Sequence, residues 1–153
     1  MQKSYLTGTL VLVIDAPRQV ACLEAMMSVD IAWEDRGVVV VLSGAVTIDV
    51  IRDNCRCLVG DSRFDHLLYS IVDLRSLDHA PVSERALKKL AAENWAAGLS
   101  NGRLRTFVVA EDPTVVSVLQ KYLDVMPDAH GIAKPMICSS PEQARETLAL
   151  VRP

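Results

Sequence analysis

Asp73, Arg75, Asp78 and His79 stand directly behind one apolar run of this sequence, and Glu111 and Asp112 stand directly behind another. Carboxylates and an imidazole in neighbouring loops are the parts of a general acid–base site, with the histidine titrating near neutral pH. A plainer reading assigns no chemistry: Asp73 and Arg75 pair with each other, Asp112 caps a helix, and His79 is a solvated loop residue. Ser83 follows closely, and a serine at that point caps the next helix through its side-chain oxygen.

The metal-binding residue types are present but scattered. Cys22, Cys55, Cys57 and Cys138, with His66, His79 and His130, match neither a zinc ligand set nor a Cys-x-x-Cys redox pair. Cys55 and Cys57 lie two apart on a predicted helix and point to different faces. The sequence carries no nucleophile elbow, phosphate-binding glycine loop, kinase signature or zincin motif. No metal, no cofactor and no catalytic residue is expected.

These residues need a scaffold, and 153 residues allow one ordinary domain. Half the residues are hydrophobic and 23% are charged, as in a packed globule. A net charge of -3, with no basic cluster beyond Lys88-Lys89, removes the long-range attraction to phosphate backbones, so nucleic acid is not an expected partner. No stretch approaches the ~20 apolar residues of a membrane span. The apolar run at residues 9–14 leads toward Cys22, but Asp15, Pro17 and Arg18 interrupt it, and Gln19 stands where a lipobox needs an aliphatic residue. The expected location is cytoplasmic.

From residue 31 the periodicity alternates between two and 3.6. Residues 31–35 and 38–42 read as strands about the turn Arg36-Gly37, and Thr47 caps a helix carrying Ile48, Ile51, Cys55 and Leu58 that Gly60 ends. Residues 67–74 form an almost unbroken apolar run, which fits a central strand buried on both faces. A helix at 83–97 buries Leu87, Leu90, Ala91 and Trp95, with Gly98 closing it. Residues 104–110 form the next strand. Asp112-Pro113 opens a helix with Val115, Leu119, Tyr122 and Met126 on its inner stripe. A strand at 132–138 follows, and the capping box Ser140-Pro141-Glu142-Gln143 opens a last helix burying Ala144, Leu148 and Val151.

The predicted fold class is α/β, a mixed, mostly parallel sheet with four flanking helices in the order β-β-α-β-α-β-α-β-α. Helical crossovers of this length require parallel neighbours with right-handed connections. Residues 1–26 stand outside the pattern as an N-terminal extension, with a further strand at 9–14 and a helix at 18–26 as candidates. Residues 27–153 form the domain.

Three stretches, WEDRGVVVVLSGAVT, YSIVDLRSLDHAPVSERALKKL and VVAEDP, carry a resemblance. In order and texture residues 31–151 resemble the STAS-domain superfamily of anti-sigma-factor antagonist-like proteins. Its short bacterial STAS-like members, which share features with CRAL-TRIO lipid-binding domains, are the most similar. The resemblance implies a non-enzymatic module that binds a protein partner or a small ligand. It also implies a switch in some members, by phosphorylation of a hydroxyl at the start of the helix after the central strand. Here that start is residues 78–84, and Ser83 is the nearest hydroxyl. The chain departs from the regulated pattern, because Ala80-Pro81-Val82 precede Ser83 and Glu84 follows it. A phosphate there is favoured by the helix dipole and opposed by Glu84.

Ligands in open parallel sheets sit beyond the carboxyl ends of the strands, here the loops after Leu74, Ala110 and Cys138. The expected function is therefore a STAS-like regulatory or protein-interaction module, acting on a partner or by self-association. The alternative is a small-molecule or lipid-binding carrier with an internal apolar pocket. A hydrolase-like or other enzyme centred on Asp78 and His79 ranks last.

Overall fold

The computed structural model describes residues 27–78, 82–128 and 131–151. Five strands, β1 (Met27–Trp33), β2 (Gly37–Gly44), β3 (Tyr69–Leu77), β4 (Arg105–Val109) and β5 (Met136–Cys138), form one sheet in the order β1-β2-β3-β4-β5. β1 and β2 are antiparallel and every later pair is parallel. Among the described residues four helices, α1 (Ile48–Val59), α2 (Glu84–Ser100), α3 (Pro113–Val125) and α4 (Pro141–Val151), complete the α/β architecture expected from the sequence. The strand and helix expected at 9–14 and 18–26 lie outside the described residues.

Because β2 to β5 advance across the sheet in one direction, right-handed crossovers carry α1, α2 and α3 onto a single face. Alternation along each strand then divides the core. Val38, Val40, Leu42, Leu74 and Val108 face that helical layer, while Ile71, Phe107 and Val109 face α4 through its Ala144 and Leu148. The central strand is β3, as its apolar run implied.

The helix starts follow the sequence signals. Thr47 accepts from the backbone N–H of Val50, Ser83 from Ala86, and Asp112 from Thr114 and Val115. The capping box at α4 is displaced by one residue. Ser140 accepts from the N–H of Gln143, and the Gln143 side chain accepts in return from the N–H of Ser139. Gly44, at φ 76, turns the chain off β2 toward α1 in a conformation that favours glycine.

Several predicted boundaries move for identifiable reasons. β1 begins at Met27 rather than at residue 31, since Met27 to Trp33 pair continuously with the second strand. A 3-10 turn, Phe64–His66, takes up the chain before β3, which starts at Tyr69 and runs to Leu77 by pairing with β2 beyond a register shift. Gly98 does not close α2, which continues to Ser100; a Cβ at position 98 would come within 2.8 Å of the Ile132 side chain, so this glycine serves close packing. Pro135 offers no backbone donor, and the last strand is only Met136–Cys138. Val151, expected in the core, is 45% exposed near the chain end.

Candidate functional site

The polar residues singled out in the sequence do not converge. Asp73 is buried on the α4 side of β3 and receives the backbone N–H of Arg75 at 3.1 Å and its guanidinium at 2.8 to 3.2 Å. Burial pushes the Asp73 carboxyl up, but the side-chain and backbone bonds from Arg75 outweigh it and hold the group below the ordinary range. It is a charged ion-pair partner, unlike a base poised near neutrality. Glu111 and Glu142 act electrostatically on Arg75 from the adjoining loop and from α4.

Asp78 stands at the other face, exposed, its backbone N–H held at 2.9 Å by the carbonyl of Gly44. Asp112 is the cap of α3. His79, the imidazole of the imagined acid–base site, lies outside the described residues, as do Ala80 and Pro81. No group of three or more metal-ligating side chains occurs among the described residues.

Ser83 is exposed and caps α2 with its side-chain oxygen 3.2 Å from the N–H of Ala86. Beside it, Ile48, Asp49, Arg52, Arg85, Ala86 and Lys89 complete a shallow depression. Arg52 is tied to Glu93 at 2.6 Å, whose carboxyl it holds down at about 2, and to Asp49 at 3.3 Å. Glu84, the acid expected to oppose a charge on Ser83, pairs with Lys88 at 2.6 Å. The depression therefore offers the charges of Arg85 and Lys89 beside the Ser83 hydroxyl.

A second site was not named by any motif. Between the sheet and α1, α2 and α3 lies a cavity of about 410 Å³, lined by Val40, Leu42, Val72, Leu74 and Val108 from the strands and by Ile51, Leu90 and Leu119 from the helices. α1 borders it along its length. The apolar stripe of α1 is only half-buried, since Ile48, Ile51 and Leu58 pack against the core on one side and border the cavity on the other.

The cavity floor carries two hydroxyls. Ser70 and Thr106 are register partners on β3 and β4, and both point toward the helical layer. Neither hydroxyl has a hydrogen-bond partner among the described residues. Three other polar groups of the lining are engaged, Thr47 as the cap of α1, Asn94 as donor to the Tyr122 hydroxyl at 2.8 Å and Asn101 as donor to the carbonyls of Phe64 and Leu67. Among the described residues the Asn54 amide on the α1 wall is open like the two floor hydroxyls. Burial pushes the Cys55 thiol up to about 11 and the Tyr122 hydroxyl up to about 12, so both stay neutral at physiological pH. Among the described residues the only charged side chain in the lining is Asp78, at the rim. The available sequence signal was a small hydroxyl residue in the second position of each of two strands, which becomes a pair only once register is known.

With sheet order, helix placement and cavity in view, the protein has a STAS-type fold. A solved structure described as an anti-sigma factor antagonist from Mycobacterium paratuberculosis superposes with a TM-score of 0.52, covering 89% of this chain and 99% of its own, at 19% sequence identity. No protein-family model matches the sequence. No curated protein matches it either. Among the described residues no helix is long and apolar enough to cross a membrane.

Proposed function

We propose that this chain is a non-enzymatic regulatory module of the STAS kind, working in the cytoplasm by binding a partner protein. Residues 27–153 form the module in this reading, and residues 1–26 extend it. The observation that carries the proposal is the fold shared, over almost the whole neighbour, with an anti-sigma factor antagonist. The contact surface is the exposed depression around Ser83, where Arg85 and Lys89 present charge at the start of α2. A phosphate on Ser83 would meet both cations and the free N–H groups of the first turn. The test is affinity capture with the full chain, comparing wild type with an R85E/K89E variant of equal melting temperature. A protein retained by wild type and lost by the variant is the expected result; identical capture, or none, overturns the assignment.

A second reading, a small-molecule or lipid-binding carrier, is favoured by one specific observation, the apolar cavity beneath α1, α2 and α3. Its volume lies within the range of small-molecule sites. Retention of lipid through purification, seen by extraction and mass spectrometry, is its expected signature. A protein free of extractable lipid that also takes up no added lipophile refutes it.

A further inference from the structure

The cavity can be read for the chemistry of its occupant as well as for its existence, an inference that rests on the carrier reading above. Three features constrain the occupant. Volume comes first: an apolar protein cavity of roughly 150 Å³ accepts one benzene, so 410 Å³ corresponds to about 16 heavy atoms. Charge comes second. Among the described residues no cation lines the space, and the one charged residue there, Asp78, is an acid at the rim. A carboxylate or phosphate placed inside would lose its hydration without a counter-charge, and a cation would find only the rim acid.

Hydrogen bonding comes third. Ser70 is a strand residue in the middle of the sheet, covered by helices, yet its hydroxyl faces the cavity unpartnered, with Thr106 beside it on the next strand. Buried hydroxyls are ordinarily paired, and two adjacent open ones at the same place on the floor form a donor–acceptor pair for a group that enters the cavity. Because each hydroxyl can donate and accept, an alcohol or a carbonyl satisfies them equally well.

We infer that the cavity binds one neutral lipophile of about 16 heavy atoms, whose single hydroxyl or carbonyl is held by Ser70 and Thr106 while its hydrocarbon lies along α1. The loosely seated α1 is the wall that closes over the chain. Its Ile51 and Leu58 meet the ligand from one side and Leu119 of α3 meets it from another.

Titration of the full-length protein with 1-dodecanol and with dodecanoate at about pH 8, where the acid is ionised, tests the inference. Binding is read by calorimetry and by methyl NMR shifts of Ile51, Leu119 and Val108. The expected result is saturable one-to-one binding of the alcohol, with shifts confined to cavity methyls and at least tenfold weaker binding of the carboxylate. The S70A/T106V variant should bind the alcohol about tenfold more weakly, the loss of two ordinary hydrogen bonds, with a melting temperature no lower than that of wild type. Leu119→Phe, which fills part of the space, should weaken both ligands and so keeps the site testable if the double variant misfolds. Equal binding of alcohol and carboxylate overturns the neutral-ligand assignment but leaves the carrier reading standing. Full affinity in S70A/T106V overturns the hydroxyl anchor. Binding of neither ligand overturns the carrier reading as well, and gives the space to another occupant such as the chain's own residues 1–26.

Discussion

The ring of Tyr69 occupies the space that a side chain on Gly37 would fill, and the two residues are register partners on the parallel strands β2 and β3. The Tyr69 hydroxyl donates to Glu34 in the hairpin turn, and Glu34 in turn receives Arg145 of α4 at 2.6 and 3.1 Å. The Arg145 guanidinium holds the Glu34 carboxyl below its usual range, with a smaller contribution from Tyr69. Burial pushes the Tyr69 hydroxyl up, and the neighbouring carboxylate adds to the shift. One glycine thus lets a ring join the hairpin, the central strand and the last helix.

Gly37→Ala is accordingly predicted to be destabilising even though alanine suits a strand no worse than glycine. The overlap is with ring atoms fixed by a hydrogen bond, so the cost should be that of overpacking, about 1–3 kcal/mol. Denaturant melts of G37A, Y69L and the double variant check it. The alanine should cost markedly less in the Y69L background, and an equal cost in both would show that the ring is not the obstacle.

Ser83→Ala tests the cap independently of any regulatory role. The hydroxyl satisfies one first-turn N–H, so its removal should lower stability by about 1 kcal/mol, whereas Ser83→Asp should retain most of it because aspartate also caps. If partner capture is lost in S83D while stability is kept, charge at this position acts on the interface and not on the fold. A melting temperature unchanged in S83A would contradict the cap geometry.

These caps show which parts of the structure were legible in advance. Thr47, Ser83 and Asp112 act through hydrogen bonds within a few residues, and local interactions are written in local sequence. The apolar run that became β3 was legible as central because burial on both faces leaves no alternation. Gly98 misled, since its reason is Ile132, thirty-four positions away and across a packing contact. Asp73 and Asp78, adjacent in the sequence reading, lie on different faces because side chains alternate along the extended chain of β3 and just beyond it, and the register shift between β2 and β3 is invisible in composition. The Ser70–Thr106 pair escaped notice for the same reason: two strands must be aligned before their hydroxyls become neighbours.

The ion pairs predict an acid-sensitive fold. Arg52 holds the Glu93 carboxyl at about 2 against an ordinary 4.5, and Arg63 holds Asp61 at about 2 against 3.8. Both groups bind protons more readily in the unfolded chain, so their contribution is complete above about pH 5 and is lost as pH falls from there toward 2. Melting temperatures measured across that range should fall more steeply for wild type than for Glu93→Gln or Asp61→Asn. Added salt at about 0.5 M should narrow the difference, because exposed pairs are screened. Parallel slopes for wild type and both variants would show that these pairs contribute nothing to acid stability.

Cysteine labelling provides a local probe of the helical layer. Cys57 is exposed on α1, while the Cys55 thiol, two residues earlier, is pushed up to about 11 by burial and by the charge of Glu93. Burial also raises the Cys138 thiol. Since the thiolate is the reactive species, iodoacetamide at about pH 8 should modify Cys57 ahead of both Cys55 and Cys138, which stay largely unmodified in the native protein. Peptide mapping by mass spectrometry reads the order. Simultaneous modification of Cys55 and Cys57 would mean that α1 leaves the sheet on the labelling timescale.

Thr106→Val separates stability from binding at the cavity floor. The change is close to isosteric, and it replaces an unpartnered hydroxyl by a methyl in an apolar surround, so no hydrogen bond to a described residue is lost. A hydroxyl kept only for packing would be improved by this substitution. The expected gain is about 0.5–1 kcal/mol, or roughly 1–4 °C in melting temperature for a domain of this size. The same variant should bind 1-dodecanol more weakly than wild type, a trade of affinity for stability that marks residues retained for a ligand. If T106V is destabilised, the hydroxyl has a structural partner; if it is stabilised with unchanged affinity, the hydroxyl is not the anchor.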